Sequence, residues 1–221
     1  NLQIAFGELD RAGRDAIIGG IYTQTIHFAL ELARLRRATP QEVTGAVQSF
    51  EGREYLDELI ASKQGFVIAC AHQGNWEWLG AWMALTYGNF GVVYKPMHNP
   101  KTEAVAQALR HRYGTRIFST RERIPRPLFA HIRGGGAVAI LADQDARIQG
   151  RPFAFFGRMA STTTGLASLA IRLRVPILPG FCLRDAPGKF RVLVYPPLWP
   201  DPQAERDAEE ARITQAYLKY V

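Results

Sequence analysis

At 221 residues, with 47% hydrophobic and 21% charged side chains, the chain is long enough to bury a substantial core and too balanced to be disordered or fibrous. Its 27 Lys and Arg against 20 Asp and Glu leave a formal charge of +7, which favours phosphate-bearing or otherwise acidic partners. Nucleic acid is not expected among them, because zinc-ligand spacing, an RNP-like aromatic signature and a long basic block are all missing.

Residues 10–37 carry apolar positions at helical intervals, Ile17, Ile21, Ile26, Leu30 and Ala33, with Gly19-Gly20 as a weak point. Thr39-Pro40-Gln41-Glu42 has the form of a capping box and opens a second helix, and residues 53–63 read as a third. Residues 1–64 are therefore expected to form a helical extension. From Gly65 the rhythm changes to strands alternating with helices: strands at 66–71, 91–94, 116–118 and 137–141, helices at 76–86, 101–113 and 125–133. A helix at 163–173 and an antiparallel pair at 176–183 and 190–195 complete residues 65–221 as an α/β core with a largely parallel sheet flanked by helices. No stretch reads as a signal peptide or membrane span, and Cys70 and Cys182 sit in apolar runs as buried thiols, without the spacing of metal ligands.

In such sheets ligands gather beyond the carboxyl ends of the strands, where His72, Lys95 and Asp143 all fall. His72 closes the run Phe66–Ala71 and precedes Gln73-Gly74-Asn75-Trp76-Glu77, so an imidazole and a carboxylate meet at a strand-to-helix turn as a candidate general-base dyad. His98 with Glu103 repeats the same spacing before another helix, and spacing alone does not choose between them. Gly74 favours His72, since it lets the chain fold the ring back over the first helical turn, whereas Pro100 stiffens the turn after His98.

Asp143-Gln144-Asp145 could bind a metal, hold a cationic partner or orient a sugar, the first option suggesting a metal-dependent glycosyltransferase; the bland reading is a solvated turn. Lys95 is a candidate phosphate grip or an ordinary surface lysine, and Arg133-Gly134-Gly135-Gly136 an anion-binding turn or a plain one. Ser161 to Gly165 places hydroxyls at a helix start, where Thr163 would serve an oxyanion or merely cap, and the phenylalanines at 153, 155 and 156 are core or a wall for an acyl chain. The Gly-x-Ser-x-Gly elbow, the P-loop and the Gly-x-Gly-x-x-Gly fingerprint are absent, which weakens serine-hydrolase and nucleotide-binding readings.

Taken in order, Asn1-Leu2, His72-Gln-Gly-Asn-Trp-Glu77, Tyr94-Lys-Pro-x-x-Asn-Pro100, Asp143-Gln-Asp145, Phe155-Phe-Gly157 and Thr162-Thr-Thr-Gly165 resemble the late lipid A acyltransferases, the lauroyl and myristoyl transferases. Val175-Pro-Ile-Leu-Pro179 adds the proline-rich strand of the wider glycerolipid acyltransferases. The resemblance implies an inner-membrane enzyme facing the bacterial cytoplasm that moves a fatty acyl group from acyl-carrier protein, or acyl-CoA, to a hydroxyl of a lipid A precursor. Related members acylate phosphatidylinositol mannosides instead.

The family's first motif maps onto His72 and Glu77, which makes His72 the base, Glu77 the group orienting its ring, and direct transfer without an acyl-enzyme the expected route. Lys95 stands where the family commonly has Arg. Lys95, Arg133, Asp143, Asp145 and Thr163 are the expected substrate-binding residues, with Arg121, Arg123 and Arg126 as further cations; no metal and no cofactor beyond the acyl donor is expected. The expected partners are the carrier protein or CoA, an anionic glycolipid acceptor and the inner-membrane surface. Members usually begin with a hydrophobic anchor and end with a Trp-Leu-His-Arg-Arg-like segment, and this chain is expected to lack both. A thioesterase or lysophospholipase using the same dyad on water, and a non-catalytic basic membrane-binding domain, are the other readings.

Overall fold

A seven-stranded sheet organises the chain, and the computed structural model describes residues 2–120 and 126–221 of it. The N-terminal part holds a short helix α1 (Leu2–Ala5), a long helix α2 (Arg11–Leu35), α3 (Pro40–Gly45), strand β1 (Val47–Glu51) and α4 (Arg53–Ala61). Helix α2 passes through Gly19-Gly20 without a break, and most of its first four turns are exposed. Asp10 caps it, and the Thr39/Glu42 capping box opens α3 as its sequence predicts.

The alternation then runs β2 (Phe66–Cys70), α5 (Trp76–Tyr87), β3 (Phe90–Tyr94), α6 (Pro100–Arg112), β4 (Arg116–Ser119), α7 (Arg126–Arg133) and β5 (Ala137–Leu141). After a hairpin of β6 (Arg151–Phe155) and β7 (Arg158–Thr162) come α8 (Gly165–Leu173), β8 (Ile177–Ala186), β9 (Lys189–Val194) and α9 (Arg206–Leu218). Strand order is β1-β9-β8-β2-β5-β3-β4, and β8 with β9 is its antiparallel pair, joined by a turn at Pro187-Gly188.

Two elements differ from the sequence reading. Val47–Glu51 is a strand that pairs parallel with β9 at the sheet's edge, so the first 64 residues are not wholly helical. The run around Phe153 forms the β6–β7 hairpin, a two-stranded sheet of its own.

Strand β2 is buried on both faces, as expected for the middle of a parallel sheet. Its alternation sends Phe66, Ile68 and Cys70 into one core with α3, α4 and α5, and Val67, Ala69 and Ala71 into the other with α7, α8 and α9. Trp78 links the layers on the first side, its indole N–H donating to the Val43 carbonyl at 3.1 Å. This fixed framework leaves the carboxyl ends of β2, β5 and β3 side by side along one edge.

Candidate active site

Cys70 and Leu141 face each other as the last rung of the β2–β5 ladder, and His72 and Asp143 each stand two residues further on. The two side chains therefore meet. The imidazole Nδ1 lies 2.9 Å from Asp143 Oδ1, and the His72 backbone N–H donates to Oδ2 at 2.9 Å, so one carboxylate grips both ring and main chain. Burial raises the Asp143 pKa, but the bonds from the His72 ring and backbone outweigh it and hold the carboxyl below its ordinary 3.8. A carboxylate accepting at Nδ1 fixes the proton there and turns Nε2 outward as a base.

Glu77, expected to orient the ring, does something else. Its carboxylate takes two bonds from Arg110 of α6, Nε at 3.1 Å to Oε2 and Nη2 at 2.5 Å to Oε1. Both side chains are about nine-tenths buried, 10% and 13% exposed. Burial works against the guanidinium charge, yet the Glu77 bonds hold Arg110 protonated above its ordinary range. Arg110 Nη1 is buried without a hydrogen-bond partner among the described residues. Arg110 also lies over the Tyr94 ring, 4.9 Å from its centroid.

His72, Glu77 and Arg110 line one cleft of about 480 Å³, bordered also by Phe28 and Leu32 of α2 and by Arg36 at its C-terminal cap. Behind it, between α5, α6 and the sheet, a narrower apolar recess of about 40 Å³ shares Trp76, Glu77, Leu109 and Arg110 with the cleft. Trp76 stands at the junction, stacked on Phe28 at 4.2 Å and edge-on to His72 at 4.8 Å. Cys70, at the floor, is buried, and burial with the nearby Asp143 carboxylate pushes its thiol up to about 12.

Of the other expected residues, Lys95 lines the same cleft. Thr163 lies in an adjoining pocket that shares Leu141 and Gln144 with it, and its hydroxyl accepts from the Gly165 N–H. Asp143 also borders a chamber of about 680 Å³ between α1 and the hairpin, where Asp145 joins it while accepting from the Arg147 N–H. Arg133 is not brought to the site. The turn after it packs against residues 63–65, at the amino ends of β2 and β5, the opposite edge of the sheet. Arg126 opens α7 ahead of β5, and Arg121 and Arg123 lie outside the described residues.

His98 is exposed, and Glu103 is occupied by Tyr94, Gln107 and the Met97 N–H, so the second His/Glu spacing builds no dyad. Among the described residues no group of three or more His, Cys, Asp or Glu is placed to hold a metal ion. None of their helices is long and apolar enough to cross a membrane.

Residues 1–221 match the profile of the family described as bacterial lipid A biosynthesis acyltransferase. The chain belongs to this family. Among curated members, phosphatidylinositol mannoside acyltransferases of two Mycobacterium tuberculosis strains are each 30% identical over 153 residues, 66% of this chain and 47% of theirs. The protein of the same name from Mycolicibacterium smegmatis is 26% identical over 148 residues, 66% of this chain and 48% of its own. The chain thus spans about half the length of the curated relatives it matches. Arg110, Phe28 and the pairing of Asp143 with His72 are what a reading of the family's first motif misses. A signal for the last existed, since His72 and Asp143 stand one and two places beyond the ends of predicted strands.

Proposed function

We propose that this chain carries the catalytic site of an O-acyltransferase, which passes a fatty acyl group from a thioester, acyl-carrier protein or acyl-CoA, directly to a hydroxyl of an anionic glycolipid. The observation behind the proposal is a carboxylate-held imidazole beside a cleft with apolar walls and three cations, Arg36, Lys95 and Arg110. Such walls suit an acyl chain, and such cations suit phosphate or acidic groups on either substrate.

In this reading His72 Nε2 accepts the proton of the acceptor hydroxyl while Asp143 steadies the imidazolium. The oxygen attacks the thioester carbonyl, the C–S bond breaks, and the imidazolium returns its proton to the departing thiolate. Hydroxyl and thioester become ester and thiol, with no acyl-enzyme; Cys70, buried and hard to ionise, is a poor nucleophile for one. Glu77 acts through Arg110, which it holds at the wall of the cleft as one of the cations for acidic groups of the substrates. Asp145 and Thr163 are assigned to the acceptor, and no metal or other cofactor has a role.

The family description favours a lipid A precursor as acceptor, whereas the names of the mycobacterial relatives favour an inositol mannoside. The reaction is assigned to the cytoplasmic face of the inner membrane, which the exposed apolar residues Ile18, Ile21, Tyr22, Ile26 and Leu30 on α2 support as a surface for lipid contact. The test is labelled acyl transfer by the full-length gene product, offering each donor with each acceptor to wild type and His72→Ala. Transfer that falls by about 10²- to 10⁴-fold in the variant bears the proposal out. Label released only as free fatty acid would make the protein a thioesterase.

A further inference from the structure

We infer that Glu31, on α2 and far from the motif in sequence, is a positioning residue for His72, acting through Asn75. Asn75 is wholly buried three residues after His72, and each of its polar groups is committed. Its backbone N–H donates to the Cys182 carbonyl at 2.8 Å, and its carbonyl accepts from the Leu79 N–H at 3.1 Å. Its side-chain Oδ1 caps α5 by accepting from the Trp78 N–H at 2.9 Å, and its Nδ2 donates to Glu31 Oε2 at 2.7 Å.

Glu31 is held in turn by the guanidinium fork of Arg184 on β8, Nε to Oε1 at 2.5 Å and Nη2 to Oε2 at 2.6 Å. The two side chains are 4% and 6% exposed, and Arg184 reaches a second α2 residue, Gln24. Burial raises the Glu31 pKa, but the bonds from Arg184 and Asn75 outweigh it and keep the carboxylate ionised. Three residues earlier on α2, Phe28 stacks on Trp76, which meets the His72 ring edge-on.

Helix α2 therefore grips both Asn75 and Trp76. The segment between them and β2 has little freedom of its own: Gly74 sits at φ +64°, where a Cβ would come within 2.0 Å of the Cys182 carbonyl oxygen. What remains adjustable is how the turn docks against α2 and β8. That docking sets where the His72 ring stands relative to Asp143, which hangs from a different strand.

Gln at position 31 is close in shape but can satisfy only one side. Its amide oxygen could still accept from Asn75, while its NH₂ group would face the Arg184 donors. The Asn75 clamp and the buried guanidinium then compete for a single acceptor.

The test uses the full-length protein with Glu31→Gln and Arg184→Lys, the second keeping the charge but losing the two-pronged grip. Two quantities are read: the hydrogen-bonded Nδ1–H signal of His72 by NMR, assigned by its absence in His72→Gln, and kcat and KM for acyl transfer per folded molecule. We expect the ring signal to weaken or shift in both variants, with kcat down by roughly 10- to 100-fold, KM for the donor within about twofold, and Arg184→Lys the milder. If Glu31→Gln does not fold, Arg184→Lys decides alone. Wild-type ring signal and wild-type kcat in the folded variants, whatever their melting temperature, would reduce Glu31 to a structural clamp. The kinetic arm rests on His72 being the base; the NMR arm does not, so a protein inactive in acyl transfer would still answer the question.

Discussion

Glu77 and Arg110 form a two-point ion pair across the α5–α6 interface, on the floor of the cleft that His72 overlooks. Removing one member leaves the other charged and nine-tenths buried, a loss of about 3–5 kcal/mol for a fully buried pair. Arg110→Lys keeps the charge but cannot make both bonds or lie flat over Tyr94, so it is expected to cost about 1–2 kcal/mol in urea unfolding. If Arg110 holds an acidic substrate group at the cleft, the same change raises KM by about tenfold, which steady-state kinetics would report separately from stability.

Asp143→Asn replaces a two-oxygen acceptor by a group that must present an NH₂ to one of its His72 partners. With His72 as the proposed base, turnover is expected to fall by at least about 10²-fold, as when a base loses its orienting carboxylate. The pH dependence has a definite sign. A carboxyl held below 3.8 when folded stabilises the protein fully above its unfolded value, and that contribution disappears as pH falls through the lower folded value. Hydrogen bonds to a charged group being worth about 1.5–3 kcal/mol, wild type should exceed Asp143→Asn by that order at pH 7 and pH 5, the gap closing below about pH 4. Urea titrations at those pH values check it. An acid limb in activity above pH 5 would belong to some other group.

His98→Ala is expected to leave kcat and KM within about twofold of wild type, because the exposed ring borders neither the cleft nor Glu103's hydrogen bonds. Gly74→Ala is the contrasting case. A methyl group would collide with the Cys182 carbonyl and sit at a left-handed φ, so a loss above about 2 kcal/mol is expected, seen as a drop in melting temperature together with activity.

The apolar ridge of α2 can be tested apart from catalysis. Ile21 and Ile26 are 54% and 58% exposed. Replacing both with Ser removes apolar area worth about 1–2 kcal/mol each if it is buried in lipid, so sedimentation with anionic vesicles should show binding weakened by at least about tenfold. Unchanged binding would move the lipid contact elsewhere on the surface.

Most of the fold was legible because the strands of the sheet's centre are short apolar runs separated by capped helices. Strand β1 was not, since Val47-Gln48-Ser49-Phe50-Glu51 is largely polar and takes its shape from pairing with β9, about 140 residues away. The β6–β7 hairpin hid for another reason. Its two-residue turn puts Phe156 and Gly157 both at positive φ, and a phenylalanine there masks the Asn-Gly or Asp-Gly signal such turns usually carry. At the site, the His72/Glu77 spacing suggested a pair that the structure does not make, since Glu77 bonds Arg110 and the His72 ring meets Asp143. Glu77 is near in sequence, whereas Asp143 is near only because β5 inserts between β2 and β3, a fact of sheet order that no local pattern records.

That insertion also dictates when the site comes into being. The strand bearing His72 is synthesised early, but its neighbour β5 arrives 71 residues later, after two other strands have been laid down beyond it, and the Cys182 carbonyl that anchors the turn comes later still. A partly made chain therefore holds an imidazole with neither a carboxylate nor a fixed turn, and contacts of such long range form late in folding. The contact between His72 and Asp143 is therefore complete only once the sheet has closed around β5.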